Sequence, residues 1–223
     1  MTEIEDRTRA LLAGIPPRVQ VVAAAKTRTA DEIRAALAGG IRIVGENYVQ
    51  EAAAAQSVVG RDGAEWHLIG SLQRNKAKDA VRQFDLIQTV DSLPLAERLD
   101  AAGRALGRVV PILIEVNSGR EPQKAGVFPE DVEALARAIA DLASIEMRGV
   151  MTLGPAREAS DALRPFFAET KRRFDELARL RLPNARMTIL SMGMSDSYRE
   201  AIDEGATMVR LGTALFGPRR ERG

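Results

Sequence analysis

The sequence predicts an α/β fold, a single (β/α)8 TIM barrel preceded by one extra N-terminal helix. Short apolar runs of strand length alternate with amphipathic stretches almost from end to end of the 223 residues. Strands separated by helices of this length pair in parallel through right-handed crossovers. Eight such units favour a closed barrel, and barrels of one domain begin at about this length. An open, doubly wound sheet is the alternative that the pattern leaves.

Each predicted strand is a short apolar run. In chain order the strands are Gln20 to Ala25, Ile41 to Val44, His67 to Ile69, Leu86 to Thr89, Val109 to Val116, Glu146 to Met151, Met187 to Leu190 and Thr207 to Arg210. Between them, apolar residues recur at spacings of three and four, the pattern of a helix with one buried face. The predicted helices are Glu3 to Leu12, Ala30 to Ala38, Tyr48 to Val58, Leu93 to Leu106, Asp131 to Leu142, Asp161 to Leu180 and Ser197 to Glu204. No linker rich in Pro, Gly or Ser divides residues 1–223, so we expect one domain.

Composition argues against several classes of function. Lys+Arg number 32 against 31 for Asp+Glu, so there is no electrostatic argument for nucleic-acid or membrane binding. The chain has no apolar run of about 18 residues and an acidic start unlike a signal peptide, so we expect a cytoplasmic protein. Without cysteine it has no disulfide, thiolate nucleophile or cysteine-ligated metal, and its single histidine argues against a multi-histidine metal centre.

Lys26 stands at the C-terminal end of the first predicted strand. In α/β barrels this edge is where ligands bind. A lysine held there and partly desolvated can lose its proton near neutral pH and form a Schiff base with a carbonyl. Alone, such a lysine is more often a solvated strand end, so the other strand ends have to support the assignment.

The loops after the seventh and eighth strands predict a phosphate cradle. Phosphate binds to unobstructed backbone N–H groups and hydroxyl donors, and Gly193, Ser195, Gly212 and Thr213 supply both. Barrels often bind phosphate after these two strands. The alternative is that both loops are ordinary turns capped by serine and glycine. One such loop alone would favour that alternative, but the occurrence of two on adjacent strands favours the phosphate cradle.

Arg210 ends the eighth strand and is expected to point into the barrel mouth or near it. A buried guanidinium needs an anionic or acceptor partner. That partner is either a carboxylate, such as Glu115 or Glu46, or the ring nitrogen of a cofactor. Arginine beside a pyridine nitrogen keeps the nitrogen unprotonated and weakens the ring as an electron sink.

Three further features have a structural and a functional interpretation. His67 lies inside the third predicted strand, where a lone histidine is more often a hydrogen-bonded core residue than an acid or base. The basic stretch Gln73 to Lys78 is expected to be a solvated helix start rather than an anion site. For Glu46 and Asn47, orienting a ligand and capping the next helix are equally supported.

Taken together, these motifs resemble those of the pyridoxal phosphate homeostasis proteins, the YggS or PROSC family. The resemblance covers nearly the whole chain and is carried by Ala24 to Thr27, Gly45 to Glu51, His67 to Lys76, Glu115 to Asn117, Lys124, Gly126, Gly149 to Thr152, Leu190 to Asp196 and Val209 to Gly217. This chain has Val44 where the family often has Phe, and Ser71 where the family often has His or Pro. Neither departure removes a proposed contact with the cofactor.

The resemblance implies a barrel like the N-terminal domain of alanine racemase that carries pyridoxal 5′-phosphate (PLP) as a Schiff base on Lys26. It also implies the other contacts to the cofactor. Ser195, Gly212 and Thr213 would hold the phosphate with Met192 and Gly193 near it, Arg210 would face the pyridine nitrogen, and Asn47 would lie against the cofactor. Members of the family are regarded as binding and buffering PLP and as affecting amino-acid and keto-acid balance.

A non-catalytic carrier that delivers PLP to apo-enzymes is favoured over an amino-acid racemase or decarboxylase. A racemase needs acid/base groups on both faces of the reacting carbon. In the related racemases the second group is a tyrosine from a second domain of the partner chain, whereas this chain has only Tyr48 and Tyr198. Because the domain through which the racemases dimerise is missing, we expect a monomer.

Overall fold

Eight parallel strands close into one barrel in the computed structural model, which describes residues 2–155 and 159–218. The strands are β1 (Gln20–Ala24), β2 (Ile43–Glu46), β3 (Glu65–Leu68), β4 (Leu86–Val90), β5 (Val110–Val116), β6 (Ile145–Thr152), β7 (Ala185–Ser191) and β8 (Met208–Leu211). Each strand pairs with its neighbours in the chain, and β1 pairs with β8. The predicted closed barrel is confirmed, and the open sheet is excluded.

Helices follow the strands and surround the barrel. They are α1 (Glu3–Ala13), α2 (Ala30–Ala38), α3 (Val49–Val59), α4 (Ala77–Gln83), α5 (Leu93–Leu106), α6 (Val132–Ile139), α7 (Arg164–Leu180), α8 (Tyr198–Asp203) and α9 (Thr213–Phe216). Every predicted helix is present, including the extra helix before β1. The start of α4 lies within the stretch Gln73 to Lys78, which was expected to be a solvated helix start, whereas α9 is a short helix that the sequence did not predict.

The position of β2 differs from the prediction. The strand runs from Ile43 to Glu46 rather than from Ile41 to Val44, so Glu46 belongs to the strand. Gly45, the first residue after the predicted strand, lies within the observed one and pairs with Ala24 and His67. A Cβ at Gly45 would lie 2.6 Å from Val22 Cγ1, so the glycine is needed inside the barrel.

The core has an inner and an outer part. The inner part fills the barrel with apolar side chains from alternate strand positions, among them Val22, Ile43 and Met208 in one cluster and Leu113 and Met151 in another. The outer part is the larger and packs the strands against the helices. The strands also contribute buried polar residues, among them His67, Gln88, Glu115 and Arg210. In the described ranges, no helix is both long and apolar enough to cross a membrane.

Gly149 provides a test of the strand packing. It lies on β6 in register with Ile189 of β7, and a Cβ there would lie 1.7 Å from the Ile189 carbonyl oxygen. We predict that Gly149→Ala lowers the free energy of unfolding by about 3 kcal/mol or more, since backbone has to move. Urea denaturation measures this.

The control is Gly14→Ala, where φ is −91° and a Cβ would have its nearest neighbour at 3.5 Å. That variant should change stability by no more than about 0.5 kcal/mol. Equal effects of the two substitutions would contradict the close approach of β6 and β7.

Candidate functional site

A pocket of about 310 Å³ opens at the carboxyl ends of the strands. Its lining comprises Ala24, Lys26, Asn47, Tyr48, Ile69, Gly70, Ser71, Glu115, Leu153, Met194 and Arg210. Seven of the eight strands or their following loops contribute, as expected for a site at this end of a barrel. Of the predicted site residues, Lys26, Asn47 and Arg210 line this pocket.

Lys26 is half-buried and follows β1 directly. The preceding N–H, of Ala25, donates to the Gly45 carbonyl at 2.8 Å and extends the pairing with β2. Thr27 then takes a positive φ of 67°, and α2 begins behind a capping box of Thr29 and Glu32. The backbone on both sides of Lys26 is therefore fixed, which directs its side chain from the strand end into the pocket.

Asn47 is held at the rim of the pocket by Gly70. A Cβ at Gly70 would lie 2.4 Å from the Asn47 carbonyl oxygen and 2.7 Å from its Cα, so only glycine allows the two loops to meet. The Gly70 carbonyl accepts a hydrogen bond from Thr89 Oγ1 at 2.8 Å, which fixes the β3 loop in turn.

The loops after β7 and β8 are joined through Ser195. Its Oγ accepts hydrogen bonds from the N–H groups of Gly212 and Ala214, both at 3.1 Å. The N–H of Arg210 donates to the Gly193 carbonyl at 3.0 Å. Thr213 begins α9 beside these groups and is exposed. The structure therefore brings Gly193, Ser195, Gly212 and Thr213 into one cluster.

Glycine is required by packing at only one of the two glycine positions of this cluster. Gly193 has a φ of 91°, and a Cβ there would lie 2.6 Å from the Cβ of Ala201, so it lets α8 pack closely. Gly212 has a φ of −112°, and a Cβ would meet nothing nearer than Ala24 at 3.7 Å. Packing does not require glycine at 212. The missing side chain leaves space beside Ala24, which lines the pocket.

Met192 lies outside the pocket lining. Its side chain is fully buried in the outer core, and its N–H donates to the Met208 carbonyl at 3.1 Å. Met194 lines the pocket instead and is 43% exposed. In an extended chain, residues two apart lie on the same side, so sequence spacing alone would place Met192 and Met194 together. The turn at Gly193, with its φ of 91°, separates them.

Arg210 is buried, and main-chain and hydroxyl oxygens bind it. Nη1 donates to the carbonyl of Ser191 at 3.0 Å and to its Oγ at 2.7 Å, and Nη2 donates to the Thr152 carbonyl at 2.7 Å. In the part of the chain that the structure describes, neither Glu115 nor Glu46 forms an ion pair with Arg210. Burial lowers the pKa of Arg210 to about 10 while Glu115 opposes the shift, so the guanidinium stays charged at neutral pH.

Glu115 lines the pocket, whereas from the sequence it was considered only as a possible carboxylate partner of Arg210. It is 4% exposed, and no described residue forms a hydrogen bond with its Oε2. Burial raises its pKa to about 7, with a further increase from Asp91 and an opposing effect of Arg210. The sequence feature that could have identified Glu115 as a site residue is its position as the one acidic residue in the apolar strand β5.

The remaining candidates lie around the pocket rather than in it. Glu46 also has a pKa raised to about 7 by burial, but it does not line the pocket. His67 is buried inside the barrel and hydrogen-bonded to Gln88, as the core interpretation predicts. Arg74 and Lys78 are exposed and line a groove on the outside of the barrel beside α5. Within the described ranges, no group of His, Asp and Glu residues is suited to hold a metal ion.

Comparison with known proteins gives consistent matches over nearly the full length. The sequence pattern of the alanine racemase N-terminal domain matches residues 1–220. A pyridoxal phosphate homeostasis protein of Pseudomonas aeruginosa is 38% identical over 204 residues, which cover 92% of this chain and 86% of that protein.

The solved structures similar to this chain include PipY of Synechococcus elongatus PCC7942. Without PLP it has a TM-score of 0.90 at 41% identity, covering 96% of this chain and 100% of that one. With PLP bound the TM-score is 0.89 at 40% identity, with the same coverage. An alanine racemase of Clostridium difficile 630 has a TM-score of 0.77 over 98% of this chain and 55% of the racemase. At 16% identity, that match shows the fold alone.

The raised pKa of Glu115 predicts a pH-dependent stability. The unfolded chain titrates this carboxyl near 4.5 and the folded chain near 7, so the folded state binds more protons between these values. The contribution to stability is therefore present at low pH and lost as pH rises through about 7. Glu115→Gln abolishes this loss, and its stability relative to the unsubstituted protein should increase by about 2 kcal/mol from about pH 5 to about pH 8.

Chemical denaturation across this pH range measures the difference. Glu97→Gln, at an exposed position of α5, is the matched control and should show a difference that does not change with pH. A constant difference for Glu115→Gln as well would mean that the carboxyl is ionised throughout this range.

Proposed function

This chain belongs to the alanine racemase N-terminal domain family and, within it, to the pyridoxal phosphate homeostasis proteins, and we propose that it binds PLP at the barrel mouth and serves intracellular PLP homeostasis. The observation that carries the proposal is the convergence of Lys26, Arg210 and the joined β7 and β8 loops on one edge of the barrel. A relative at 40% identity has been solved with PLP bound, which supports the same ligand here.

The chemical groups at this edge fit the parts of PLP. Bound PLP supplies an aldehyde, and the amine of Lys26 is the nucleophile of the pocket that could bond to it covalently. Arg210 is a fixed cation whose Nε has no hydrogen-bond partner among the described residues, so it can donate to a ring nitrogen. Asn47, whose backbone Gly70 holds in place, would lie against the ring.

The cluster after β7 and β8 fits a phosphate. The N–H groups of Gly212 and Ala214 both donate to one oxygen, Ser195 Oγ, and this convergence of donors supports the binding of phosphate oxygens there. Ser195, Gly212 and Thr213 would hold the phosphate, and the space left by the missing side chain of Gly212 keeps the approach open. Met192 and Gly193 would contribute by shaping the loop, since the side chain of Met192 is in the core.

We further propose that the protein is a carrier rather than an enzyme. Arg210 stays charged and would keep a ring nitrogen unprotonated, which makes the ring a weak electron sink. Tyr48 is 59% exposed at the rim, where water competes for its hydroxyl. The proposal includes delivery of PLP to apo-enzymes by a monomeric, cytoplasmic protein whose 223 residues act as one PLP-binding domain.

An amino-acid racemase or decarboxylase is the second candidate, and Glu115 is the observation in its favour. The sequence resemblance pointed only to a tyrosine as the acid/base group opposite Lys26. Glu115 lines the same pocket and has a pKa of about 7, which suits a group that accepts and returns a proton near neutral pH. The two functions therefore have to be separated by experiment.

Covalent trapping tests the binding proposal. We predict that borohydride reduction of the PLP-treated protein adds the mass of reduced PLP to the peptide containing Lys26, and that Lys26→Ala abolishes this adduct. Lys76→Ala, at a half-buried lysine of a neighbouring cavity, is the control and should keep it. Full trapping in the Lys26→Ala variant would overturn the assignment of Lys26.

Exchange of the amino-acid α-proton in D2O separates carrier from enzyme. We predict exchange far slower than about 1 s⁻¹, the lower end of ordinary enzyme turnover, together with transfer of PLP to an apo-aminotransferase. Fast exchange that is lost in both Lys26→Ala and Glu115→Gln would instead establish the enzyme.

A further inference from the structure

A row of hydrogen-bonded polar side chains crosses the interior of the barrel below the pocket. It runs from Arg210 through Ser191, Gln88 and His67 to Glu65. Arg210 is 3% exposed, His67 is 1% exposed, and the two residues between them are fully buried. The side chain of Glu65, at the first residue of β3, is 63% exposed. The row therefore connects the pocket to solvent at the opposite end of the barrel.

The charge on Arg210 sets the direction of the first two hydrogen bonds. A guanidinium can only donate, so the Ser191 Oγ, 2.7 Å from Nη1, must accept. The single hydrogen of the Ser191 hydroxyl then remains for Gln88 Oε1, which lies 2.7 Å away. This orients the Gln88 amide with its carbonyl toward Ser191 and its NH2 group toward His67.

The amide of Gln88 in turn sets the tautomer of His67. An NH2 group can only donate, so His67 Nδ1, 3.0 Å away, must accept. The ring hydrogen is then on Nε2, which lies 3.4 Å from Glu65 Oε2. Burial lowers the pKa of His67 against the influence of Glu65 and Asp85, while Arg148 acts with burial, so the ring is neutral. Each hydrogen bond of the row thus has a defined donor and a defined acceptor.

We propose that Gln88 and Ser191 are positioning residues that fix the guanidinium of Arg210 for the group bound at Lys26 and couple that site to His67. The proposal rests on the proposed PLP site. Nη1 and Nη2 are held by Ser191 and Thr152, which sets the plane of the guanidinium and leaves Nε without a partner among the described residues. An acceptor bound at Arg210 polarises the guanidinium, and a continuous row of hydrogen bonds transmits polarisation along its length.

The tautomer of His67 in the PLP-free protein is the first test. His67 is the only histidine, so the imidazole nitrogen resonances of the full-length protein need no assignment by mutation. The expected ¹⁵N shifts at neutral pH are those of a neutral ring with hydrogen on Nε2. An Nδ1–H tautomer or a doubly protonated ring would overturn the proposal. This measurement involves no PLP, so it decides the row independently of the proposed function.

The coupling is tested by adding PLP and following the same resonances. Ser118→Ala is the matched control for Ser191→Ala, because Ser118 is equally buried and bonds to Thr152 Oγ1 outside the row. PLP should shift the His67 nitrogens in the unsubstituted protein and in the control, and the shift should fall by about threefold or more in Ser191→Ala. Equal shifts in the two serine variants would overturn the coupling.

The dissociation constant of PLP tests the positioning role. Loss of the support to Arg210 in Ser191→Ala or Gln88→Leu should raise that constant by about tenfold, the effect of one hydrogen bond to a charged group. Ser118→Ala should change it by less than about twofold. An unchanged constant in both row variants would overturn the positioning role, and circular dichroism on the same samples verifies their fold. Failure of the unsubstituted protein to bind PLP would overturn the proposed function and, with it, this role of the row, while leaving the tautomer result standing.

Discussion

The burial of one charged arginine inside the barrel is the constraint on which the site depends. Arg210 is 3% exposed, and a cation so placed has to be surrounded by acceptors. The carbonyl groups of Thr152 and Ser191 supply them from the ends of β6 and β7, so these two strands must keep their register at the mouth. Gly149 permits that register, because β6 and β7 approach too closely there for any side chain. The polar row behind Ser191 follows from the same charge, which orients each later donor.

The mouth of the barrel combines fixed and titratable groups. Arg210 presents a positive charge that does not change near neutral pH, and the N–H dipoles of Gly212 and Ala214 converge on Ser195 Oγ in the joined loops. Glu115 changes its charge in that range, because burial raises its pKa to about 7. A carrier has to bind its ligand and also release it. A pocket with fixed donors for an anion and one carboxyl that ionises near neutrality is consistent with reversible binding, and the covalent bond at Lys26 would supply the remaining affinity.

Much of this arrangement could be predicted from the sequence, because a parallel barrel gathers the ends of all its strands at one edge. That rule placed Lys26 and Arg210 together and paired the loops of Ser195 and Gly212. It could not assign Gln88, since one polar residue in an apolar strand does not show which side chain it meets across the barrel. The end of β2 was also misplaced. A glycine after an apolar run resembles the start of a turn, whereas Gly45 lies within the strand and is packed closely against Val22 inside the barrel.

A crystal structure of the PLP-treated protein would show directly whether Lys26 carries the cofactor. We expect continuous density from Nζ of Lys26 to the cofactor, the ring nitrogen of the cofactor within hydrogen-bond distance of Arg210, and its phosphate against Ser195 and Gly212. Cofactor bound at another lysine, or a ring nitrogen facing Glu115 instead of Arg210, would contradict this expectation.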